Sequence, residues 1–324
     1  MPGLSDVRGV RVGHAEDRDA LTGCTVILFD GGAVAGLDLR GSATGTRQMD
    51  ALRPQHLVGR IDAVFFAGGS AFGLDAAAGV MTYLEEKGVG FPTARTTVPI
   101  VPAAIICDLG VGPGDVRPTP DMARRACEAA DGVRGRAPAE GSVGAGTGAS
   151  VGKLYGLARA MKGGVGTWSL RSPRGATVGA LAVVNAFGDV ISARTGKILA
   201  GARTAGDSPE PADTAERMRE GESRSGFDAE NTTLCCVATD ARLDPPGAEK
   251  LAQSASNGLA RTLRPAFSTL DGDLVIAAST ANLEEDLNVL GLLAEEAAAT
   301  AVNRAVTGAE GLGGLPTAKD LDRA

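Results

Sequence analysis

The stretch NTTLCCVATDA, residues 231–241, joins a long polar segment to an abrupt apolar run. The run from Leu234 to Ala238 has the composition of a fully buried strand. A threonine at the start of such a strand becomes a catalyst if the Asn231–Thr232 bond is cut, because Thr232 then carries both a hydroxyl nucleophile and an α-amine base. We therefore interpret the chain as a precursor that processes itself.

The residues before this junction, 202–231, are rich in charge, proline and small polar side chains. They offer almost nothing to bury, so we expect a mobile surface segment. A cut at its end would leave the new carboxyl end loose and the new amino end anchored in the strand.

Two other interpretations of the junction must be weighed. A polar loop that leads into a buried strand is common, and Asn231 and Thr232 are ordinary residues at such a position. Asn231-Thr232-Thr233 is also a formal glycosylation acceptor, which requires secretion. Residues 1–20 lack a basic start followed by an apolar core, so we expect a cytoplasmic chain.

The composition favours a compact soluble enzyme. The chain has 324 residues, 44% of them hydrophobic, and a formal net charge of −7. It contains no apolar run long enough to span a bilayer, so we do not expect a membrane as a partner. Because its net charge is negative, we do not expect nucleic acid as a partner either. An odd number of cysteines without CxxC spacing predicts reduced thiols rather than disulfides or a zinc site: Cys24, Cys107, Cys127, Cys235 and Cys236.

The pattern of apolar residues predicts a single layered α+β domain. Gly188-Asp189 lies between two β-rich runs and predicts a hairpin. Strands and helices come in mixed order, which argues against a doubly wound parallel sheet. Strands are predicted at 24–29, 33–39, 63–67, 178–184, 190–193, 233–239 and 274–278, and helices at 70–87, 120–130, 247–263 and 283–306.

Other catalytic motifs fit poorly. In residues 144–153 the first glycine of a phosphate loop would fall at Thr147, and Leu154 stands where such a loop has serine or threonine. A formal GxSxG at 148–152 follows a glycine-rich loop, whereas a nucleophile elbow follows a strand. The two histidines, His14 and His56, lie in polar surroundings near the amino end and offer neither a triad base nor a metal-ligand pattern. An α-amine base needs no histidine, and we expect no metal.

Four polar residues in apolar company are candidate site residues. Asp271 and Asp273 flank a glycine directly before a buried strand, so their carboxylates can face one cationic partner; the alternative is an acidic turn. Asn185 ends a strand and can offer its amide to an oxyanion, or is a turn residue. Lys153 can orient a nucleophile or lower the pKa of a nearby amine, or is solvated.

Ten ordered segments of the chain resemble the DmpA-type peptidase family, which includes β-peptidyl and D-amino-acid aminopeptidases and the nylon-oligomer hydrolase. The resemblance implies a four-layer αββα fold. It also implies self-cleavage into subunits 1–231 and 232–324 that stay associated, and tetramers of processed protomers. The segments are LTGCTVILFDGG, ATGTRQMDALRP, FAGGSAFGLDAAAGVMTYLEEKG, VPIVPAAIICDLG, GSVGAGTGASVGKL, KGGVGTWSL, TVGALAVVNAFGDV, NTTLCCVATDA, LARTLRP and DGD.

The resemblance also implies roles for individual residues. Thr232 matches the nucleophile released by the cut after Asn231, and its α-amine would act as the base, kept neutral with the help of Lys153. Asn185 and a backbone N–H would hold the oxyanion. The remaining matched residues, Asp271 and Asp273, would orient the nucleophile's amine or its hydrogen-bond partners. The implied substrates are amide bonds next to a free amine, as in short peptides, β-amino amides or ω-amino oligomers, and no cofactor is implied.

The chain departs from the family at three positions. Cys107 stands where some active members carry tyrosine, Leu274 where relatives often have threonine, and Phe267 where histidine is frequent. Two alternatives stay open: an amine acyltransferase of the ornithine-acetyltransferase type, and a non-catalytic scaffold that retains the fold. The tail, 308–324, is either a mobile end or an interface arm.

Overall fold

The computed structural model describes residues 1–132, 136–224 and 231–321. Short 3-10 turns precede or join several elements: Leu4–Asp6, Met49–Leu52, Ser70–Ala76, Gly144–Gly146 and Leu157–Arg159. The α-helices are α1 (Ala77–Glu86), α2 (Pro120–Gly132), α3 (Thr214–Arg219), α4 (Pro245–Ala260), α5 (Leu287–Thr307) and α6 (Ala318–Leu321). The strands are β1 (Val10–Asp17), β2 (Thr22–Leu39), β3 (Thr46–Arg47), β4 (Ile61–Ala67), β5 (Phe91–Pro92), β6 (Thr97–Val98), β7 (Ala103–Ile105), β8 (Ser150–Val151), β9 (Met161–Lys162), β10 (Gly164–Arg171), β11 (Thr177–Asn185), β12 (Asp189–Ile191), β13 (Ile198–Ala200), β14 (Thr232–Ala241), β15 (Leu263–Arg264) and β16 (Leu274–Leu283).

One long strand, β2, belongs to two sheets. Gly31 and Gly32 both have left-handed φ angles, 76° and 75°, and the register with β4 shifts between Leu28 and Ala33. The half before this bend pairs with β1 and β4, and the sheet continues through β7 to β3. The half after it pairs with β16, and that sheet continues through β14 and β11 to β10. A bulge built on glycine therefore turns one strand from the first sheet into the second.

The two sheets lie face to face between two helical layers. Along β14, Leu234, Cys236 and Ala238 belong to the apolar core shared by both sheets, whereas Cys235 and Val237 pack with α4 and α5. On the first sheet, alternate residues of β2 and β4 pack against α1 and α2. This alternation, with a period of two, gives each strand one face for each core. The αββα architecture predicted from the sequence is confirmed.

Glycines let the outer helices approach the sheets closely. A Cβ atom at Gly13 of β1 would lie 2.0 Å from the Ala126 carbonyl oxygen of α2. A Cβ at Gly36 of β2 would lie 2.2 Å from a backbone nitrogen of α4, and a Cβ at Gly166 of β10 would lie 2.0 Å from the Ala301 carbonyl oxygen of α5. These contacts are with backbone, which cannot move aside as a side chain can.

Several predicted elements differ from the structure. Residues 24–29 and 33–39 form one strand rather than two, and β1 and β10 were missed. The hairpin predicted at Gly188-Asp189 is wrong, because β11 pairs with β10 and β14 whereas β12 pairs with β13 and β15. The buried Asp189 carboxylate accepts hydrogen bonds from the backbone N–H groups of Ala202 (2.8 Å) and Thr214 (2.6 Å), which direct the chain away from β11.

Residues 202–224, predicted to be mobile, and the tail, predicted to be either a mobile end or an interface arm, are packed against the protein where they are described. Residues 202–224 contain α3, and Thr214 is buried; residues 225–230, the rest of the predicted mobile segment, lie outside the described residues. The tail contributes buried Ala309, Leu315 and Ala318, and its Pro316 carbonyl accepts a hydrogen bond from the Lys162 N–H at 2.8 Å. In the described part of the chain, none of the helices has the length and apolarity needed to cross a membrane.

Replacing Gly166 by alanine should lower stability by at least about 2 kcal/mol, because its methyl group would collide with the backbone of α5. Thermal denaturation followed by circular dichroism should show a fall in Tm of several degrees. Gly206→Ala is the control, since a Cβ there would meet only the Ala158 carbonyl oxygen, at 3.6 Å. Equal Tm values for the two variants would contradict this account of helix packing.

Candidate active site

The junction between Asn231 and Thr232 lies at the start of β14, inside the protein. Thr232 is 2% exposed and sits directly opposite Asn185, the last residue of β11, in the antiparallel ladder. Its hydroxyl donates a hydrogen bond to the carbonyl oxygen of Asn231. The same oxygen accepts the backbone N–H of Gly272 at 3.1 Å. The nucleophile predicted from the sequence therefore lies beside the carbonyl group that it would attack.

The residues before β16 reach the same place because β14 and β16 run parallel. Leu234 pairs with Leu274, and three residues earlier Asn231 forms a parallel bridge with Asp271. Parallel strands start at the same edge of a sheet, so the segments preceding them meet there. This brings Asp273 next to Thr233, whose N–H donates to its carboxylate at 2.6 Å.

The two carboxylates of Asp271 and Asp273 are both buried, and backbone amides fix their positions. Asp271 accepts the Phe187 N–H at 3.0 Å and the hydroxyl of Ser268. The second carboxylate oxygen of Asp273 accepts the N–H of Phe267 at 3.1 Å. Phe267 thus takes part through its backbone, whatever its side chain.

Burial raises the pKa of both carboxyl groups, and the charge of Asp271 raises the pKa of Asp273 further. The Ser268 hydroxyl, the Phe187 N–H and the Lys153 charge partly offset this effect at Asp271. Two carboxylates this close in a dry environment resist carrying two full negative charges. The pair can therefore hold or pass a proton beside the start of β14.

Lys153 and Asn185 form a second buried pair. The ammonium of Lys153 donates to the side-chain oxygen of Asn185 at 2.8 Å and to its backbone carbonyl at 3.1 Å. The Ser150 N–H donates to the same side-chain oxygen at 3.0 Å. Because two donors meet this atom, it must be the amide oxygen, which fixes the orientation of the Asn185 side chain. The side-chain nitrogen of Asn185 donates to the carbonyl oxygen of Cys107 at 3.0 Å.

The position of Cys107 clarifies one departure from the family pattern. The contact with Asn185 uses the backbone carbonyl of residue 107, which is present whatever the side chain at this position. The exchange of tyrosine for cysteine therefore leaves the support of Asn185 intact. What it changes is the chemistry of the side chain at this partly exposed position.

Sequence reasoning missed Lys162, which is fully buried. Its ammonium donates to three backbone carbonyl groups, those of Gly146 (2.9 Å), Ala149 (2.8 Å) and Gly163 (3.1 Å). An ammonium has three N–H donors, and all three are used here. Gly146 and Ala149 belong to the glycine-rich loop that leads to Lys153, so Lys162 positions this loop. A lysine inside the glycine-rich KGG stretch was the available signal, but its backbone partners are not visible in the sequence.

Burial lowers the pKa of Lys162 to about 7. The charge of Asp108, itself buried, opposes this shift, whereas Lys153 adds to it. The glycine-rich loop is thus tied to a group that titrates close to neutral pH. Among the described residues there is no group of three or more His, Cys, Asp or Glu side chains that could hold a metal ion.

Comparison with known proteins shows relatives over nearly the whole chain. The sequence model of peptidase family S58 matches residues 3–318. An uncharacterized aminopeptidase of Mycobacterium leprae is 40% identical over 98% of this chain and 93% of its own length. The 6-aminohexanoate-oligomer endohydrolase of Kocuria sp. is 31% identical over 86% of this chain and 75% of its own length.

Solved structures show the same fold at lower sequence identity. A β-aminopeptidase from Burkholderia sp. matches with a TM-score of 0.68 and 23% identity, over 99% of this chain and 92% of that one. The L-aminopeptidase D-Ala-esterase/amidase of Ochrobactrum anthropi matches with a TM-score of 0.74 and 21% identity, over 97% of this chain and 88% of that one. The latter structure is described as a new variant of the Ntn hydrolase fold.

Lys162→Met should change how stability depends on pH. Below pH 7 the folded and unfolded chains both hold the Lys162 proton, and the cost of burying the charge is fully present. Between pH 7 and 10.5 only the unfolded chain holds it, so the stability of the parent should rise with pH relative to the variant, by up to about 5 kcal/mol over the whole window.

The measurement is urea unfolding from pH 6 to 10.5 in a Thr232→Val background, which keeps the chain uncut if Thr232 is the nucleophile. The exposed Lys197→Met, the same exchange without burial, is the control. If the free energies of unfolding of Lys162→Met and its parent change with pH in parallel, the lowered pKa of Lys162 is wrong.

Proposed function

The chain belongs to peptidase family S58 and is an amide-bond hydrolase, and we propose that it matures by cutting its own Asn231–Thr232 bond and then uses Thr232 as an amino-terminal nucleophile. The observation that carries the proposal is the contact between the Thr232 hydroxyl and the Asn231 carbonyl group in the intact chain. The cut divides the single domain into a large subunit, 1–231, and a small subunit, 232–324.

Self-cleavage begins with attack of the Thr232 hydroxyl oxygen on the carbonyl carbon of Asn231. A C–O bond forms, the C–N bond breaks, and the hydroxyl proton ends on the released α-amine. Water then hydrolyses the ester, which leaves a carboxylate on Asn231 and restores the Thr232 hydroxyl. The hydrogen bond from Thr233 to Asp273 supports this step, because it anchors the strand while the bond before it is rearranged.

The intact chain keeps its site closed. Thr232, Asn185 and Lys153 are all buried. Glu222 and Arg224 lie against the turn that carries Lys153: Arg224 donates to the Lys153 carbonyl at 3.2 Å, and the Tyr155 hydroxyl to Glu222 at 2.6 Å. We infer that these two contacts loosen after cleavage and that the site then opens to substrate.

In the processed enzyme the α-amine of Thr232 acts as the base. Its unperturbed pKa of about 7.7 to 8.0 is already close to working pH. The ammonium of Lys153, held on the carbonyl of the residue opposite Thr232, favours the neutral amine. The side-chain amide of Asn185 stabilises the substrate oxyanion, while Asp271 and Asp273 hold the backbone around the nucleophile.

The proposed substrates are amides whose acyl part carries a free amine, such as short peptides, β-amino amides or ω-amino oligomers. The name of one relative, an aminopeptidase, supports a free amine beside the bond that is cut, and the name of another, a 6-aminohexanoate-oligomer endohydrolase, supports ω-amino oligomers as substrates. From the resemblance to the DmpA-type family we also propose that processed protomers assemble as tetramers.

Thr232→Val should abolish self-cleavage, because valine keeps the shape of threonine without its hydroxyl. Thr232→Ser retains the hydroxyl and should still cut. Intact-mass spectrometry of freshly purified protein should show two fragments that meet at Asn231–Thr232 for wild type and one uncut chain for Thr232→Val. Thr233→Val, the same exchange one residue later, is the matched control and should be cut.

A wild-type chain that stays whole at every pH and incubation time tested would contradict the self-processing mechanism and favour the scaffold alternative. If the chain is cut, a panel of α-, β- and ω-aminoacyl anilides with and without an added amine acceptor completes the test. Release of aniline only in the presence of the amine acceptor would identify an acyltransferase instead of a hydrolase.

Lys153→Met should move the rising limb of the pH profile of kcat/KM to higher pH. This limb reports the ionisation of the base in the free enzyme, and loss of a neighbouring positive charge raises the pKa of an amine. The measurement uses the processed variant, with Lys197→Met as control. An unshifted limb would show that Lys153 does not tune the α-amine.

A further inference from the structure

Gly272 separates the two buried carboxylates of the DGD motif and faces the bond that we propose is cut. Its N–H donates to the carbonyl oxygen of Asn231 at 3.1 Å. The Thr232 hydroxyl also donates to this oxygen. Once that hydroxyl attacks the carbonyl carbon it no longer serves as a donor, and of the hydrogen bonds seen at this oxygen in the described part of the chain, the one from Gly272 remains.

The backbone around Gly272 is held on both sides. Its neighbours place their carboxylates on backbone amides, as described above. From the other side, the Ala43 N–H donates to the Asp271 carbonyl at 2.9 Å and the Gly41 N–H to the Asp273 carbonyl at 3.0 Å. The N–H of Gly272 is therefore aimed before the reaction starts, which is what makes such a donor effective.

Space is the reason for glycine at this position. The backbone of Gly272 is not in the left-handed region. A Cβ atom at residue 272 would lie 2.8 Å from the hydroxyl oxygen of Thr232 and 2.7 Å from the carbonyl oxygen of Ala43. Any side chain would therefore displace the Thr232 hydroxyl or the loop that contains Ala43.

We propose that the backbone N–H of Gly272 is the oxyanion donor for self-cleavage, and that residue 272 is glycine so that the Thr232 hydroxyl can lie against it. This inference rests on the proposed function. As the C–O bond forms, the electron pair of the Asn231 carbonyl moves to its oxygen, and the Gly272 N–H stabilises the negative charge. When the C–N bond breaks, the pair returns to form the ester carbonyl and the proton of the hydroxyl passes to the amine.

The test replaces the amide of Gly272 by an ester, through cell-free translation of the full chain with glycolic acid at position 272. This removes the N–H and nothing else from that residue, and self-cleavage followed by mass spectrometry should slow by about 10²–10³-fold. The new ester also weakens the Asp271 carbonyl as an acceptor for Ala43. Lactic acid at position 43 removes that same hydrogen bond while keeping the Gly272 N–H, so it is the matched control and should cut within a few-fold of wild type.

A wild-type rate for the Gly272 ester, or equal slowing in both esters, would overturn the assignment. Gly272→Ala adds a second measurement that keeps the N–H: its methyl group should block cleavage, and cutting at the wild-type rate would refute the spatial argument. Limited proteolysis against uncut Thr232→Val checks that each chain folds. If wild type itself stays whole in the same translation, the proposed function fails, and the result is distinct from failure of the Gly272 assignment.

Discussion

The parallel pairing of β14 with β16 is the constraint on which the candidate site depends. It puts the starts of both strands at one edge of the sheet, and the register of Leu234 with Leu274 sets Asn231 beside Asp271. The antiparallel pairing of β14 with β11 then brings the end of β11, Asn185, to the same edge. Three segments that are far apart in the chain meet because of strand direction and register alone. A shift of one residue in the register of β14 would turn the Thr232 side chain to the other face of the sheet and separate it from the other site residues.

The sequence carried much of this arrangement, but not all of it. The apolar runs of β11, β14 and β16 identified the three strands, and the resemblance identified the polar residues at their ends. Strand direction was not visible, because a fully buried run looks the same in a parallel and an antiparallel sheet. The hairpin predicted at Gly188-Asp189 failed for a related reason: the buried Asp189 binds backbone amides of distant residues, and a local turn pattern cannot contain that contact.

The residues that were missed share one property: their partners are backbone groups. Lys162 binds three carbonyl groups, and Gly272 donates its N–H to a fourth. Motif reasoning looks for side chains in characteristic spacing, and neither contact leaves such a trace. The contacts of Lys162 matter because a buried charge must be matched by fixed dipoles when water is excluded.

Support by backbone groups also explains how the site can tolerate exchanges that look severe in sequence. Asn185 is held by the carbonyl of Cys107, and Asp273 by the N–H of Phe267, so neither contact depends on the side chain at residue 107 or 267. The departures from the family pattern therefore fall on side chains, while the backbone donors and acceptors that position the catalytic groups stay in place. On the proposed mechanism, changes at such positions would alter what the site presents to a substrate but not how Thr232 is held. Backbone geometry would then determine self-cleavage, and the exchangeable side chains would determine substrate preference.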